Sequence, residues 1–366
     1  MGDNPDRLYR LDGVAHIVGV INEEPQRCIL SMRRQQVMRL DERYVPYLQI
    51  AGLYHLARLN ERWFRLDEPL VSAFVEQWRP ETHTFHMPFG KCTIIRQDVA
   101  YQLGLSVDGR YVSGCLTDFQ TYIQGGRPAW VWFQELLGVL RPANQIQKFA
   151  VNCSWFQEMF GECPEGADEE IVRRYARAYI MMLLGTQLFA DKSGNRIHIR
   201  WLPYVARLEN MGGYSWGSAS LAWLYRCMCR VANRHVVKLA GPLQLLQSWI
   251  FWRFPGFRPT GYDTFSWPLA SSEKGPRVQM WRLKIDLLQA GDFIWMLYSS
   301  PDVLQVVHPN VLEPRHTALW QCVTTLIYFA VVEWHLIDRV LPQFGGVQMQ
   351  QAVCWSSRPV QSRRAT

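Results

Sequence analysis

Lysine is scarce in this chain: of 39 basic residues, 33 are arginine and 6 are lysine. A pyridoxal enzyme needs a lysine placed for a Schiff base, usually on an alternating strand–helix scaffold. None of Lys91, Lys148, Lys192, Lys238, Lys274 and Lys284 follows a strand in such a pattern. No cofactor is expected. Long apolar runs are missing too. The longest, Tyr179–Ala190 and Leu319–Trp334, are short and interrupted, whereas a bilayer needs about 20 apolar residues. Both read as buried helices, and no membrane partner is expected. The opening MGDNPDRLYRLDG lacks the apolar stretch of a signal peptide. There are nine cysteines, an odd number, and none forms Cys-x-x-Cys. That argues against a secreted disulfide framework and a zinc ribbon. No glycine-rich phosphate loop and no Gly-x-Ser-x-Gly elbow is present, so no small-molecule substrate is identified.

What remains is an apolar, aromatic chain. Of 366 residues, 48% are hydrophobic, 13% aromatic and 19% charged. Disordered chains show the reverse balance. The formal net charge is +7. Arginine binds phosphate bidentately and stacks on aromatic faces, which lysine does poorly. The balance is therefore compatible with nucleic-acid binding. The plainer reading is a solvated basic surface with arginine–tryptophan stacking inside the fold.

Along the chain, residues 1–44 are mixed and polar and suggest an extended lead-in. From Tyr47 the apolar spacing turns helical. Asp67 is placed to cap a second helix, on which Leu70, Phe74 and Trp78 share a face. Two strand-like runs flank Pro88-Phe89-Gly90, a hairpin signature spanning residues 83–95. Residues 97–103 form a short helix ending at Gly104. Asp168, Glu169 and Glu170 open the clearest helix, which stops at Asp191–Gly194. Further helices are expected over 215–233, 242–254, 276–289 and 317–341. The predicted fold is mainly α: one large helical domain over 45–345, one short β-hairpin, and a disordered tail over 346–366.

Several blocks are recognisable. Trp78-Arg-Pro-Glu-Thr-His-Thr-Phe-His-Met-Pro-Phe-Gly90 is followed by Thr93-Ile-Ile-Arg-Gln-Asp-Val99 and Leu103-Gly-Leu-Ser-Val-Asp-Gly109. Later come Leu184-Gly-Thr-Gln-Leu-Phe-Ala-Asp191, Trp201-Leu-Pro-Tyr204 and Val332-Glu-Trp-His335. Together they closely resemble the plant mobile domain, also called maintenance-of-meristems-like or "aminotransferase-like". The resemblance covers roughly residues 45–347. It implies kinship with proteins of plant transposable elements and with host proteins linked to meristem maintenance and transposon silencing in the nucleus. It therefore implies a nuclear location (the cytoplasm being the alternative) and DNA, RNA or chromatin proteins as partners. It carries no catalytic residue. The motif positions Trp78, Pro80, Thr82, His83, Thr84, Phe85, Pro88, Gly90, Asp98, Gly104, Asp191, Glu333, Trp334 and His335 are read as structural. Arg96 departs from the pattern, standing where an apolar residue is usual.

Beside the resemblance, residue spacing offers little chemistry. His83 and His86 are three apart, which on a strand puts them on opposite faces. Glu333 and His335, two apart on the expected final helix, point about 200° around its axis. Asp98, Asp191 and Asp338 have no spacing that suggests a nuclease triad; the first two suit helix caps. Arg173, Arg174 and Arg177 lie within one helical turn, and Arg196 and Arg200 share a strand face beside Trp201. These six are the candidate nucleic-acid contacts. The leading expectation is a non-enzymatic nucleic-acid or chromatin-associated protein. The alternative is an enzyme of unassigned chemistry, nuclease- or transposase-related, and not a true aminotransferase.

Overall fold

The computed structural model describes residues 13–20, 27–31, 38–61, 66–113, 128–139, 146–147, 149–191, 194–259, 278–299 and 318–346. The tail beyond residue 346 and most of the expected loop between Phe254 and Lys274 lie outside them. A short strand, Leu30–Ser31 (β1), comes first. Val45–Ile50 (α1) and Tyr54–Asn60 (α2) are separate helices, because Gly52 turns the chain at φ +69°. Glu68–Glu76 (α3) opens on Asp67, whose carboxylate accepts the Leu70 N–H at 3.0 Å.

Helix α3 ends before Trp78, contrary to the expected i, i+4, i+8 face. Trp78–Arg79 (β2) instead pairs with Thr84–Met87 (β3), which pairs with Gly90–Cys92 (β4). Register places Met87 opposite Gly90, so Pro88 and Phe89 make the turn. Phe85 and Ile94 point inward and are fully buried, and Phe85 stacks on Trp249 with centroids 5.1 Å apart. Arg96–Leu103 (α4) ends on Gly104 at φ +61°, a conformation that favours glycine.

Ala129–Leu137 (α5), Ile146–Gln147 (β5), Ala150–Asn152 (β6) and Cys153–Phe160 (α6) precede Glu169–Leu183 (α7). Asp168 caps α7 by accepting the Ile171 N–H at 2.8 Å. Then come Arg196–His198 (β7), Leu202–Val205 (α8), Trp216–Val231 (α9), Lys238–Leu239 (β8), Leu243–Arg253 (α10) and Val278–Asp286 (α11). Strand β7 pairs with β6, and β1 runs parallel to β8.

The expected helix over 317–341 is not there. Thr324–Tyr328 (β9) and Val331–His335 (β10) form an antiparallel hairpin. The segment is rich in β-branched and aromatic residues, which suit a half-buried pleated surface. Its turn, Phe329-Ala330, carries no glycine or asparagine to announce it. Phe329 takes φ +49°, held by its N–H on the Val112 carbonyl at 2.7 Å. The expectation of a single hairpin is corrected accordingly: the described residues contain four small sheets, each of two or three strands. The mainly helical class stands.

Helix α9 is the centre. Every residue of it is buried except Arg226 and Arg230. It packs against α4, β2, β8 and both strands of the final hairpin. Trp78, Trp201, Trp216 and Trp249 are among the largest fully buried side chains around it. At about 1.5–3 kcal/mol per large apolar side chain removed from water, this aromatic core dominates stability. Among the described residues, no helix is long and apolar enough to cross a membrane.

Candidate functional site

The motif residues from the two ends of the chain meet. His83 sits just before β3 at φ +50°, buried between Trp78 and Tyr225. Its Nδ1 donates to the Trp334 carbonyl at 2.9 Å, and its Nε2 faces Glu333 Oε2 at 3.0 Å. With both nitrogens donating, the ring is an imidazolium. Burial opposes that charge, but contacts with Cys229 and Glu333 outweigh it and raise the His83 pKa to about 10. Trp78 Nε1 donates to Cys229 Sγ at 3.3 Å. Glu333 also meets Arg226, whose Nη1 is 3.5 Å from Oε1. Glu333 and His335 lie two apart on a strand, so they share its inner face; the helical geometry expected for them does not apply. Trp334 points outward and is 52% exposed.

Two more motif positions explain their own presence. Asp98 accepts the Ile95 N–H at 2.8 Å as a cap, and its other oxygen holds Arg253 Nη2 at 2.7 Å and the Tyr298 hydroxyl at 2.8 Å. Thr82 and Thr84 share a hydrogen bond of 2.7 Å between hydroxyls, and Thr84 is buried. Pro80, Pro88 and Gly90 shape the turns around β2, β3 and β4. Asp191 accepts the Gly194 N–H at 3.3 Å on the surface. His83 and His86 do not converge: His86 Nε2 lies 3.4 Å from Thr82 Oγ1, and burial pushes its pKa down to about 3. Asp338 pairs with its neighbour Arg339 at 3.4 Å. Among the described residues, no three His, Cys, Asp or Glu side chains are gathered to hold a metal.

The six candidate contacts are dispersed. Arg173 pairs with Glu209 at 3.2 Å and Arg174 with Glu170 at 3.4 Å. Arg177 turns inward, donating to the carbonyls of Val205 and Leu136, and burial lowers its pKa. Strand β7 stops at His198, and Ile199–Trp201 is a 3-10 turn. The even spacing of Arg196 and Arg200 therefore gives them no common strand face. Arg200 lies over the Phe329 ring at 5.1 Å. Trp201 is buried against Phe189 and Tyr328, so it offers no platform.

A different basic surface emerges at the end of α9. From residue 210 to residue 262 the sequence has no aspartate or glutamate, and it carries Arg226, Arg230, Arg234 and Lys238. Arg226 and Arg230 are the two exposed residues of α9, one turn apart; His235 and Lys238 follow, also exposed. The Arg230 guanidinium lies over Trp223 at 5.6 Å. The signal in the sequence is a missing charge rather than a cluster, which a count of arginines does not reveal.

No solved structure matches this chain. Among curated proteins, it is 33% identical over 361 residues to Protein MAINTENANCE OF MERISTEMS of Arabidopsis thaliana, covering 93% of this chain and 70% of that protein. It is 30% identical over 359 residues to Protein MAIN-LIKE 1 of the same plant, covering 93% of this chain and 66% of that one. It is 34% identical over 325 residues to a serine/threonine-protein phosphatase 7 long form homolog, of which it spans only 23%. The profile of the plant mobile domain matches residues 52–366, and the chain belongs to the plant mobile domain family.

Proposed function

We propose that this protein is a non-enzymatic, transposon-derived nuclear factor. It associates with nucleic acid or chromatin and serves meristem maintenance or transposon silencing. One observation carries the reading: the exposed basic groups Arg230, His235 and Lys238 at and beyond the end of α9, in a stretch of sequence without aspartate or glutamate. Such a surface attracts a phosphate backbone by displacing condensed counterions, without reading bases. The likeness to MAINTENANCE OF MERISTEMS supports the biological side of the proposal. The enzyme alternative finds less support, since Asp98 is spent on Arg253 while Asp191 and Asp338 keep separate partners.

The test is a titration of labelled single-stranded and duplex DNA at two salt concentrations. Wild type should bind both, with affinity falling steeply as salt rises. The double variant Arg230→Glu/Lys238→Glu should weaken binding across all sequences and flatten the salt slope by about 2, roughly one unit for each phosphate no longer neutralised. Affinity indifferent to salt, or unchanged in the double variant, would leave protein–protein association as the better account.

A further inference from the structure

We infer that Arg96, Thr324 and His335 form an internal binding site for a small monovalent anion of chloride size. The site is independent of the basic surface and of its proposed role.

Arg96 is 2% exposed. Its Nη1 donates to the Leu319 carbonyl at 3.2 Å and its Nη2 to Thr324 Oγ1, while Nε has no partner. Register sets Thr324 directly opposite His335, so the two side chains share the inner face of the hairpin. His335 is completely buried, and neither ring nitrogen has a partner. Buried polar atoms are almost always paired in native proteins, so such a concentration of unpaired ones calls for an occupant.

Charge selects the occupant. Among the described residues the acidic groups whose charge would act on Arg96 are Cys322, Tyr225 and Tyr111, and none is a carboxylate. The Tyr225 hydroxyl is already committed to the Ile94 carbonyl at 2.6 Å. His335 also lies within the electrostatic reach of His83. Glu333, the neighbouring inward residue, is shared between His83 and Arg226. Glu333 is thus already spent on two cations, and among the described residues Arg96 has no carboxylate partner. Burial and the two nearby cations push the His335 pKa down to about 3, which keeps the ring neutral with one N–H to offer. The Arg96 Nε–H and that imidazole N–H are both donors. A water molecule could accept from them, but it would leave the buried guanidinium uncompensated. An anion meets both demands.

The full chain is melted in chloride, bromide and gluconate salts at equal ionic strength. Above half-saturation, chloride and bromide should raise the midpoint by about 2 °C per tenfold increase in concentration, and the bulky gluconate should not. Arg96→Met should fold, because the family pattern has an apolar residue there, and should abolish the halide dependence. His335→Phe should weaken it at least tenfold. Chloride NMR line broadening by the unheated protein, reversed by bromide, gives a readout that needs no variant. Equal midpoints in chloride and gluconate overturn the site and leave ordered water as its occupant. So does a halide dependence that survives in Arg96→Met.

Discussion

Helix α4 carries two buried charges two residues apart, and they are treated oppositely. Around Asp98 the polar groups interlock. Arg253 approaches through Nη2 at 2.7 Å and Nε at 3.2 Å, and sends Nη1 to the carbonyls of Ile294 and Trp295. Tyr298 and the Ile95 N–H complete the carboxylate's shell. Around Arg96 the network stays open: among the described residues no carboxylate pairs with it, and its Nε and both His335 ring nitrogens lack hydrogen-bond partners. A buried ion pair holds only when partners satisfy its remaining donors and acceptors. The Asp98 side meets that condition and ties α4 to α10. The Arg96 side does not, and it has the capacity to take a ligand.

The comparison can be broken most directly at Arg253. Arg253→Met strands a buried carboxylate and should cost about 3–5 kcal/mol in a denaturant titration. A cost below about 1 kcal/mol would mean that the closed network is not what stabilises α4.

His83 supplies an intermediate case, because its cluster opens to the surface through Arg226. His83→Gln should cost about 1–3 kcal/mol, the range for a charge-assisted hydrogen bond. The pH dependence is specific. The folded pKa of His83, about 10, lies above the ordinary 6.5, so its contribution is complete below pH 6.5 and fades as pH rises to about 10. For His86 and His335 the folded values are about 3, so stability falls as pH drops from 6.5 toward 3. Melting midpoints across this range should peak near neutrality. The alkaline limb should flatten in His83→Gln, and an unaltered limb would count against the imidazolium.

Arg96→Met sharpens the contrast with Arg253→Met. In gluconate it should change stability by less than about 1 kcal/mol in either direction, since it removes an unpaired cation rather than half of a pair. The smallest effect is expected at the surface. Arg230→Glu/Lys238→Glu should leave stability within about 0.5 kcal/mol of wild type, so that its effect on DNA binding is free of unfolding.

Local chemistry made parts of this molecule legible. Asp67 and Asp168 announce helix starts because a carboxylate at that position finds a free N–H three residues on. Gly104 marks a helix end, and Pro88-Phe89-Gly90 a turn. The final hairpin was not legible as one. Leu319, Leu326, Ala330 and Trp334 satisfy a helical period, and the turn at Phe329 carries no turn residue. The contrary signal is the β-branched and aromatic run of Thr324, Thr325, Ile327, Tyr328, Val331 and Val332. The arginine stripe failed differently. Helical spacing put Arg173, Arg174 and Arg177 on one turn correctly, but spacing cannot say that Arg177 ends under α8 with its guanidinium on backbone carbonyls.

The helical class, the first hairpin, the helix caps at Asp67, Asp168 and Gly104, and the family are all readable in the order of the residues. Each of these is written in residues near one another or in a motif block. It took the packed fold to place His83 on Glu333 and Trp334, some 250 residues away, to make Trp201 core, and to leave Arg96 without a carboxylate partner among the described residues. Those outcomes depend on which surfaces pack on α9. Packing follows from shape and burial summed over the whole chain, and no local pattern of residues encodes it.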